Sequence, residues 1–369
     1  MKITILQQDL VGPLQAVSRS TGKSNLPVLA NILIQTEAGK LKLSATNLEI
    51  GVIKKVNAKV EEDGEITVPS RTFLDVITSL TGEKITLEGS LDQLKISTSS
   101  FKASINGIPA NEFPSIPLAS EQSVVLDAFI LKQSLPEITF AAAVDEGRPI
   151  LTGILTEIKK DSLELVATDG FRLAHKKVKI LGEGEFKALI PRKTFEEIVR
   201  LIDEDLVNSK EEKVEMATAE GQNQIIFKIG QTELSSRLIE GNFPSWDKII
   251  PKEFENRTII EKGELAKAVK LASVFAKDVA NIIKIQTSEN KIIVSSETKE
   301  LGSQESEVEC LVEGSPLIIA FNGRFLSDVL AACSTSQIAI EFSGSLSAAL
   351  LKPVGEEGLE YIIMPVRLT

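Results

Sequence analysis

The sequence predicts an α+β protein that is built from three tandem copies of one small domain. Short segments recur three times in the same order along its 369 residues, with strand-like and helix-like patterns between them. Thr46 and Thr168 are separated by the same number of residues as Phe73 and Phe195, and the third copy keeps an equal spacing for both anchors. The recurring segments are Ala45–Glu49, Ala167–Phe171 and Glu297–Glu300; Pro69–Phe73, Pro191–Phe195 and Phe321–Phe325; and Glu112–Pro114, Asn242–Pro244 and Ile363–Pro365.

The length of the repeat sets the expected domain boundaries. A period near one third of the chain is too long for a solenoid unit and has the size of a small domain. Pro114 is followed by Pro117 and Pro244 by Pro251, and prolines after each copy of the Phe-Pro anchor are typical of a connecting segment. We therefore expect domains at residues 1–120, 121–250 and 251–369.

Strands are predicted in every copy from the alternation of apolar and polar residues, which buries one face of a sheet. Segments that are apolar on both faces predict strands that are covered on both sides. The alternating segments are Lys40–Ser44, Glu65–Val68, Lys84–Leu87, Leu94–Ser97, Leu163–Val166, Lys213–Met216 and Ile338–Phe342, and the doubly apolar ones are Ile225–Phe227 and Leu317–Ile319.

Two amphipathic helices are predicted in each copy, one near its start and one after the second anchor. Apolar residues at i, i+3, i+4 and i+7 give the helices of Phe73 and Phe195 one buried face, and the Phe325 helix follows this spacing more loosely. Pro136 lies within the candidate helix Ile130–Ala143, and we expect it to begin or kink that helix because proline lacks the amide donor. The apolar positions are Leu10, Leu14 and Val17; Phe73, Val76, Ile77 and Leu80; Phe195, Ile198, Val199 and Ile202; Leu265, Val269, Ala272 and Ala276; and Phe325, Val329, Leu330 and Ala332.

Composition narrows the class of protein. A net charge of −11 disfavours a nucleic-acid binder unless the basic residues are clustered. No apolar run is long enough to predict a membrane span, and the polar, alternating N-terminus does not resemble a signal peptide. The two cysteines, Cys310 and Cys333, are too few for a disulfide scaffold and fit a reducing compartment. We therefore expect a cytoplasmic protein.

The sequence carries no motif for catalysis, for a metal or for a cofactor. His175 is the single histidine, and neither a Gly-x-Ser-x-Gly motif nor a nearby cysteine accompanies it. Asp169 lies in a Thr-Asp-Gly turn, where an aspartate commonly hydrogen-bonds its own backbone. We expect a non-catalytic protein without cofactors, and tandem domains of this kind favour a scaffold.

Basic residues are more ordered along the chain than the net charge implies. Lys267, Lys270 and Lys277 lie on one face of a predicted helix, away from most of its apolar residues. Arginine or lysine also recurs at the start of the second helix in every copy. These residues form either solvated helix faces or a repeated basic surface that suits phosphates. The recurring residues are Arg71, Arg192, Lys193 and Arg324, with Arg200 further along its helix and Lys132 on the first helix of the middle copy.

Over its whole length the chain resembles the bacterial sliding clamps, the β subunits of DNA polymerase III. The strongest matches are Leu26–Leu29 with Asn31–Leu33, Ala167–Ala174, Ile190–Lys193 and Met364–Leu368. The resemblance implies three DNA-clamp domains, each with two helices and two small antiparallel sheets. It also implies a homodimer, in which two chains close head to tail into a ring around duplex DNA. Such a ring is a non-catalytic processivity factor that tethers the replicative polymerase.

The resemblance also implies roles for particular residues. It places Phe101 and Ala103 of the first domain against Val274 and Phe275 of a second chain's third domain. Basic residues are expected to face the central hole and to contact phosphates without reading sequence. The candidates for DNA contact are Lys23, Arg71, Lys132, Arg148, Arg192, Lys193, Arg200, Lys267, Lys270 and Arg324.

A groove for partner peptides is implied between the second and third domains. Its expected ligands are short segments, with a glutamine and two large apolar side chains, of the polymerase III catalytic subunit, the clamp loader, other polymerases and repair proteins. From the residues alone, Met364–Leu368 could equally complete the last strand. The expected wall is Leu151, Thr168, Gly170, Arg172, Leu173, Pro244, Ile249, Ile362, Met364, Pro365 and Val366, and the expected margin is Phe171, Lys248, Arg367 and Leu368.

Two alternatives remain open at this point. The first is a tandem-domain scaffold that binds proteins but does not encircle DNA. The second is a hydrolase that uses Asp169 or His175.

Overall fold

The computed structural model describes residues 1–22, 25–117, 123–208, 212–219, 223–277 and 280–367. Within these ranges each repeat contains two α-helices, as the sequence predicts, together with antiparallel strands. None of the described helices is long and apolar enough to cross a membrane. The helices are α1 (Gln7–Ser18), α2 (Ser70–Ser79), α3 (Ala128–Thr139), α4 (Arg192–Asn208), α5 (Lys262–Ala276) and α6 (Gly323–Ala332).

The strands form antiparallel sheets throughout the described residues. Those of the first repeat are β1 (Lys2–Leu6), β2 (Asn31–Glu37), β3 (Lys40–Thr46), β4 (Ile50–Val56), β5 (Lys59–Glu62), β6 (Glu65–Pro69), β7 (Lys84–Gly89), β8 (Gln93–Ser97) and β9 (Lys102–Asn106). Those of the middle repeat are β10 (Ser123–Asp127), β11 (Gly153–Thr168), β12 (Arg172–Pro191), β13 (Lys213–Thr218), β14 (Gln224–Ile229) and β15 (Thr232–Arg237). Those of the third repeat are β16 (Asn256–Glu261), β17 (Ile282–Thr287), β18 (Lys291–Thr298), β19 (Gly302–Gly314), β20 (Ile318–Asn322), β21 (Gln337–Phe342), β22 (Ala349–Pro353) and β23 (Leu359–Ile363).

The chain folds into two compact units that divide the middle repeat. Unit 1 contains Met1–Lys132 and Lys193–Leu238. Its first sheet has the order β5-β1-β7-β8-β9, and its second has the order β10-β13-β14-β15-β4-β3-β2-β6. The pairing of β15 with β4 makes one continuous sheet from strands of the middle and first repeats. Helices α1 and α2 pack together, with Leu10, Leu14 and Phe73 fully buried.

Unit 2 contains Gln133–Arg192 and Ile239–Thr369. Its sheet has the order β11-β12-β23-β22-β21-β16-β19-β18-β17-β20. The first residues of β12 pair with β23, so this sheet is also continuous from the middle repeat into the third. Strand β19 is shared between two parts of the sheet, because Gly302–Glu309 pair with β18 and Cys310–Gly314 pair with β16.

The expected effect of Pro136 is partly wrong. Helix α3 begins at Ala128 and continues through Pro136 to Thr139, so the proline does not begin the helix. Leu135 and Ile138 are fully buried on this helix. Their burial offsets the single backbone hydrogen bond that a proline removes, because tertiary packing provides most of a helix's stability in a folded protein.

Candidate functional site

The connection between β11 and β12 is a tight turn that is held by its own side chains. The Thr168 hydroxyl donates to the carbonyl oxygen of Arg172 at 2.6 Å and accepts from the amide of Gly170 at 3.0 Å. The Asp169 carboxylate accepts from the amides of Phe171 and Arg172 at 2.9 and 3.0 Å. Gly170 has a φ of +91°, which glycine adopts without a steric penalty. Asp169 thus hydrogen-bonds its own turn as predicted, and Phe171 is left 55% exposed at the tip.

Arg172 ties this turn to the third repeat. Its Nε donates to Asp169 Oδ2 at 3.1 Å, and its Nη2 donates to the Phe140 carbonyl at 2.9 Å. Its Nη1 pairs with Asp328 on α6, and the guanidinium lies 4.8 Å from the centre of the Phe325 ring. These contacts satisfy the charge within the protein, so Arg172 braces the turn and is only 11% exposed.

The segment after β23 contacts first the turn of the middle repeat and then β20 of the third repeat. Strand β23 ends at Ile363, and the amide of Met364 then donates to the carbonyl of Phe171 at 2.9 Å. The amide of Val366 donates to the carbonyl of Ala320 on β20 at 2.8 Å. The account in which these residues only complete the last strand is therefore wrong, because they bridge the turn and β20. Met364 is 40% exposed along this path.

An apolar cluster lies where β12 pairs with β23. Leu173 and Ile362 are direct partners in that pairing, and both are buried. Phe243 and Trp246 pack against them from the segment that precedes β16. Residues from the middle and third repeats therefore build one apolar cluster beside the turn and the tail. The buried members are Leu155, Val166, Leu173, Leu189, Leu350 and Ile362, and the partly buried members are Ile150, Ile239, Phe243, Trp246, Ile250 and Ala348.

The predicted groove residues fall around this cluster. Leu173 and Ile362 are in its floor, and the turn and the tail flank it through the Met364–Phe171 hydrogen bond. The remaining wall residues are chain neighbours of cluster members, as Pro244 follows Phe243. Of the expected wall and margin residues, Leu151 is buried, and Pro365 and Val366 are half-buried. The exposed ones include Pro244, Lys248, Ile249 and Arg367. Leu368 lies outside the described residues.

Sequence reasoning missed part of the floor. Leu155 and Leu350 are distant in sequence and meet only through the pairing of β12 with β23. Trp246 had a usable signal, since it is the single tryptophan and lies two residues after Pro244. Arg148, which the sequence assigns to DNA contact, has its guanidinium 3.1 Å from where a Cβ on Gly170 would lie. It therefore lies beside the turn of the groove.

A buried polar cluster lies on the opposite face of the same two strands. The ammonium of Lys176 donates to Glu137 of α3 at 2.8 Å and pairs with Glu356. Burial disfavours the charged ammonium, but the two carboxylates outweigh it and raise the pKa of Lys176, while burial raises the pKa of Glu137. Tyr361 is also buried there, and its hydroxyl has no partner among the described residues.

Unit 1 contains a junction that is built on the same plan. Strand β4 pairs with β15 as β12 pairs with β23, so Gly51 and Ser235 hold the positions of Leu173 and Ile362. Ile116 covers Gly51, with its Cγ2 3.0 Å from where a Cβ would lie. A cavity of about 260 Å³ remains at this junction. Its lining is Thr46, Leu48, Glu49, Gly51, Pro114, Ser115, Ile116, Pro117, Gln224, Ser235 and Arg237.

Basic residues recur in the first turns of the second helices. Arg71 is the second residue of α2, Arg192 is the first of α4, and Arg324 is the second of α6. A cation at a helix N-terminus is opposed by the helix dipole, typically by about 0.3–1 kcal/mol. The helix dipole therefore does not favour these positions, and Arg71 lies 3.9 Å from Asp75 one turn further along α2.

The other basic candidates lie mostly on helices. Lys267 and Lys270 are exposed on α5, as is Lys193 on α4. Lys132 on α3 pairs with Asp203, and Arg200 pairs with Glu197 at 3.2 Å. Lys23 lies outside the described residues.

The residues predicted to join two chains lie at accessible positions. Ala103 is on β9, which is an edge strand of its sheet, and Phe101 immediately precedes that strand. Val274 is 54% exposed on α5, and Phe275 follows it half-buried.

Comparisons with known proteins identify the family. The family models of the DNA polymerase III beta subunit match in order: the N-terminal domain at residues 1–117, the central domain at 126–245 and the C-terminal domain at 247–367. The Synechococcus elongatus beta sliding clamp is 32% identical, with both chains covered completely. The Staphylococcus aureus (strain Mu50) beta sliding clamp is 30% identical over 96% of this chain and 95% of its own. The crystal structure of the Thermotoga maritima DNA polymerase III beta subunit is 30% identical, covers both chains completely and superposes with a TM-score of 0.92.

These matches exclude both alternatives, because the family encircles DNA and is a non-catalytic part of the polymerase holoenzyme. The structure also argues against catalysis by Asp169, because its carboxylate accepts hydrogen bonds from the backbone amides of its own turn. The chain belongs to the bacterial DNA polymerase III β-subunit family, the β sliding clamps, which act as processivity factors in DNA replication.

Proposed function

We propose that two chains close head to tail into a ring around duplex DNA, and that the groove of unit 2 binds short peptides of replication and repair proteins. The groove is the better supported part. The main support for it is the path of the tail, which is hydrogen-bonded to the Phe171 turn and to β20. This path leaves Met364 exposed beside an apolar cluster.

The free sheet edges support the homodimer. In the described residues β9 pairs only with β8, and Gly302–Glu309 of β19 pair only with β18. Each edge therefore has unpaired backbone groups that a second chain can complete, as β15 completes β4 within one chain. The charges are complementary, since Lys102 is exposed on β9 and Glu305 is exposed on β19. Phe101 and Ala103 would then pack near Val274 and Phe275 of the partner subunit.

Retention on DNA tests the ring. A closed ring is held by topology and slides off free ends, so the dimer loaded on circular DNA should be retained and should be lost after the circle is cut. Equal loss from both forms would exclude encirclement by this chain.

We propose that the basic residues on the helices contact phosphates of the enclosed duplex. Such contacts are independent of base sequence and weaken with salt. The recurrence of arginine at the starts of α2, α4 and α6 supports this, because the helix dipole does not favour a cation there. Arg148 is the exception, and its place beside Gly170 favours a role at the groove.

The chemistry of the groove fits a short peptide with large apolar side chains and a glutamine. Phe171 and Met364 are exposed beside the buried cluster that contains Leu173 and Ile362, and the thioether side chain of Met364 adapts to different ligands. Lys248 and Arg367 are exposed at the margin and would interact with polar or acidic parts of a ligand. The polymerase III catalytic subunit, the clamp loader, other polymerases and repair proteins would therefore compete for one site.

A pair of equivalent positions tests the groove. Met364 and Arg237 lie two residues after Ile362 and Ser235, which are equivalent in the two junctions. Met364→Asp should abolish binding of a fluorescent peptide with one glutamine and two large apolar residues, whereas Arg237→Ala should leave its affinity unchanged. Native affinity in the Met364→Asp protein would place the peptide site elsewhere.

The domain limits and the location complete the proposal. Boundaries near residues 120 and 250 are supported by the gaps between the three matched ranges, which end and begin close to those positions. A cytoplasmic location fits the two free cysteines and a role in bacterial replication.

A further inference from the structure

We infer that His175 is a positioning residue for the peptide groove: it holds Trp246, and through Trp246 the segment Phe243–Ile250 that forms one wall. The inference rests on the proposed function of the groove. His175 belongs to none of the predicted groove residues, and it lies two positions after Leu173 on β12. Alternate residues of a strand share a face, so both side chains project toward the same side of the sheet.

The two aromatic rings are in close contact. The ring centres of His175 and Trp246 are 4.5 Å apart, with an angle of 38° between the planes. This separation is at the short end of the range of about 4.5–7 Å in which aromatic pairs interact. Trp246 also packs against the apolar cluster that contains Leu173 and Ile362. Trp246 therefore contacts both the apolar cluster and the imidazole ring of His175.

Neighbouring strands hold the imidazole in place. His175 Nε2 lies 3.0 Å from Glu164 Oε1 on β11, and Nδ1 lies 3.7 Å from Glu360 Oε2 on β23. Glu360 is itself 4.0 Å from the ammonium of Lys352 on β22. The imidazole beside Glu360 lowers the pKa of that carboxyl, although burial opposes the shift. The ring is thus held by a hydrogen bond to β11, and its Nδ1 faces Glu360 on β23 without a hydrogen bond.

The wall needs such a contact because it has little regular structure. Phe243–Ile250 form no helix or strand, and a backbone hydrogen bond inside the segment runs from the amide of Ile249 to the carbonyl of Trp246 at 3.1 Å. The segment is anchored by the side chains that it packs into the cluster. The exposed residues Pro244, Lys248 and Ile249, which a peptide would meet, take their positions from these anchors.

The test uses the single tryptophan as a reporter of its own position. His175→Gln removes the ring and keeps a hydrogen-bonding group, whereas His175→Phe keeps a ring and loses the hydrogen bond to Glu164. An aromatic pair is worth about 0.5–1.5 kcal/mol, so His175→Gln should weaken peptide binding about threefold to tenfold and shift the Trp246 emission to longer wavelength. His175→Phe should stay within about twofold of the native affinity, since it retains the ring contact.

Tyr361→Phe is the matched control. Tyr361 is one residue from Glu360 and faces the other side of the sheet, so this change should alter neither the emission nor the affinity. A second measurement covers the case in which His175→Gln lowers overall stability. In a Trp246→Ala background, His175→Gln should cause no further loss of peptide affinity, because the two residues act through one contact.

Three results would overturn the inference: native affinity and emission in His175→Gln, equal losses in His175→Gln and His175→Phe, or additive losses in the double variant. Failure of the underlying groove assignment would look different. In that case Met364→Asp would also bind the peptide normally.

Discussion

Tyr361 carries a polar atom that the fold leaves unsatisfied. The residue is fully buried, and its hydroxyl has no hydrogen-bond partner among the described residues. Leaving a buried polar group unpaired costs about 1–3 kcal/mol. The centre of its ring lies 5.8 Å from that of Phe140. The aromatic ring of Tyr361 therefore contributes packing, whereas its hydroxyl contributes no hydrogen bond.

Tyr361→Phe is therefore expected to raise the free energy of unfolding by about 1 kcal/mol, because it removes the unpaired hydroxyl and keeps the ring. Urea denaturation followed by far-UV circular dichroism would measure the change. A fall in stability of similar size would mean that the hydroxyl has a partner in solution, such as a buried water.

Single residues of the groove were predictable only where they lie in a segment that resembles the sliding-clamp family. Thr168, Leu173 and Met364 stand in segments that resemble the family, and the structure places them around one apolar cluster. Leu350 carries no such signal, because its contact with Leu173 depends on strands that are far apart in sequence. Arg172 was expected in the wall, but its partners Asp169 and Asp328 could not be read from spacing.

The tail after β23 is an element in its own right, although it is neither a helix nor a strand. Two backbone hydrogen bonds, from Met364 to Phe171 and from Val366 to Ala320, fix its path. Ile363, the last residue of β23, is fully buried, whereas the described residues after it are half-buried or exposed.

Deleting Met364 to Thr369 should abolish binding of the groove peptide and leave the unfolding temperature almost unchanged. The reason is that the deletion removes one side of the groove and only half-buried or exposed residues of the described tail. Fluorescence anisotropy of the peptide and thermal denaturation would check the two halves of this prediction. Peptide binding with native affinity would show that the tail takes no part in the site.

At the level of elements, periodicity predicted all six described helices, because their apolar faces recur at helical spacing and become buried. The ends were less predictable. Leu80 follows the last residue of α2, and α3 ends at Thr139, four residues before the expected end. The continuity of β4 with β15, and of β12 with β23, had no sequence signal, since sheet pairing between repeats is non-local.

For the whole molecule, the interface between two chains decides whether a ring exists. Phe275→Asp should convert the dimer to a monomer, because a carboxylate would have to be desolvated in an apolar contact. Sedimentation velocity at sub-micromolar concentration would measure the shift. Leu346→Asp is the control, since Leu346 is 66% exposed and lies outside the proposed interface. An unchanged dimer with Phe275→Asp would exclude this contact.

The hold on DNA is also a property of the whole ring. Replacing Arg192, Lys193 and Lys270 by glutamine should weaken retention on circular DNA regardless of sequence. Each phosphate contact that is lost should reduce the slope of log affinity against log salt by about 0.9. Salt titrations of DNA binding would measure that slope, and an unchanged slope would show that these residues form only solvated helix faces.

The junction of unit 1 repeats the plan of the junction in unit 2 with a different filling. Gly51 leaves room for Ile116 of the chain itself, whereas Leu173 belongs to a surface that borders the exposed Met364. Tandem duplication thus allows one copy of the junction to serve only the fold while the other copy binds partners. The junction of unit 1 is covered by Ile116 of the same chain, so its lining can change without affecting any partner. The junction of unit 2 must stay compatible with every protein that binds there. Inherited variation should therefore accumulate faster around Gly51 than around Leu173.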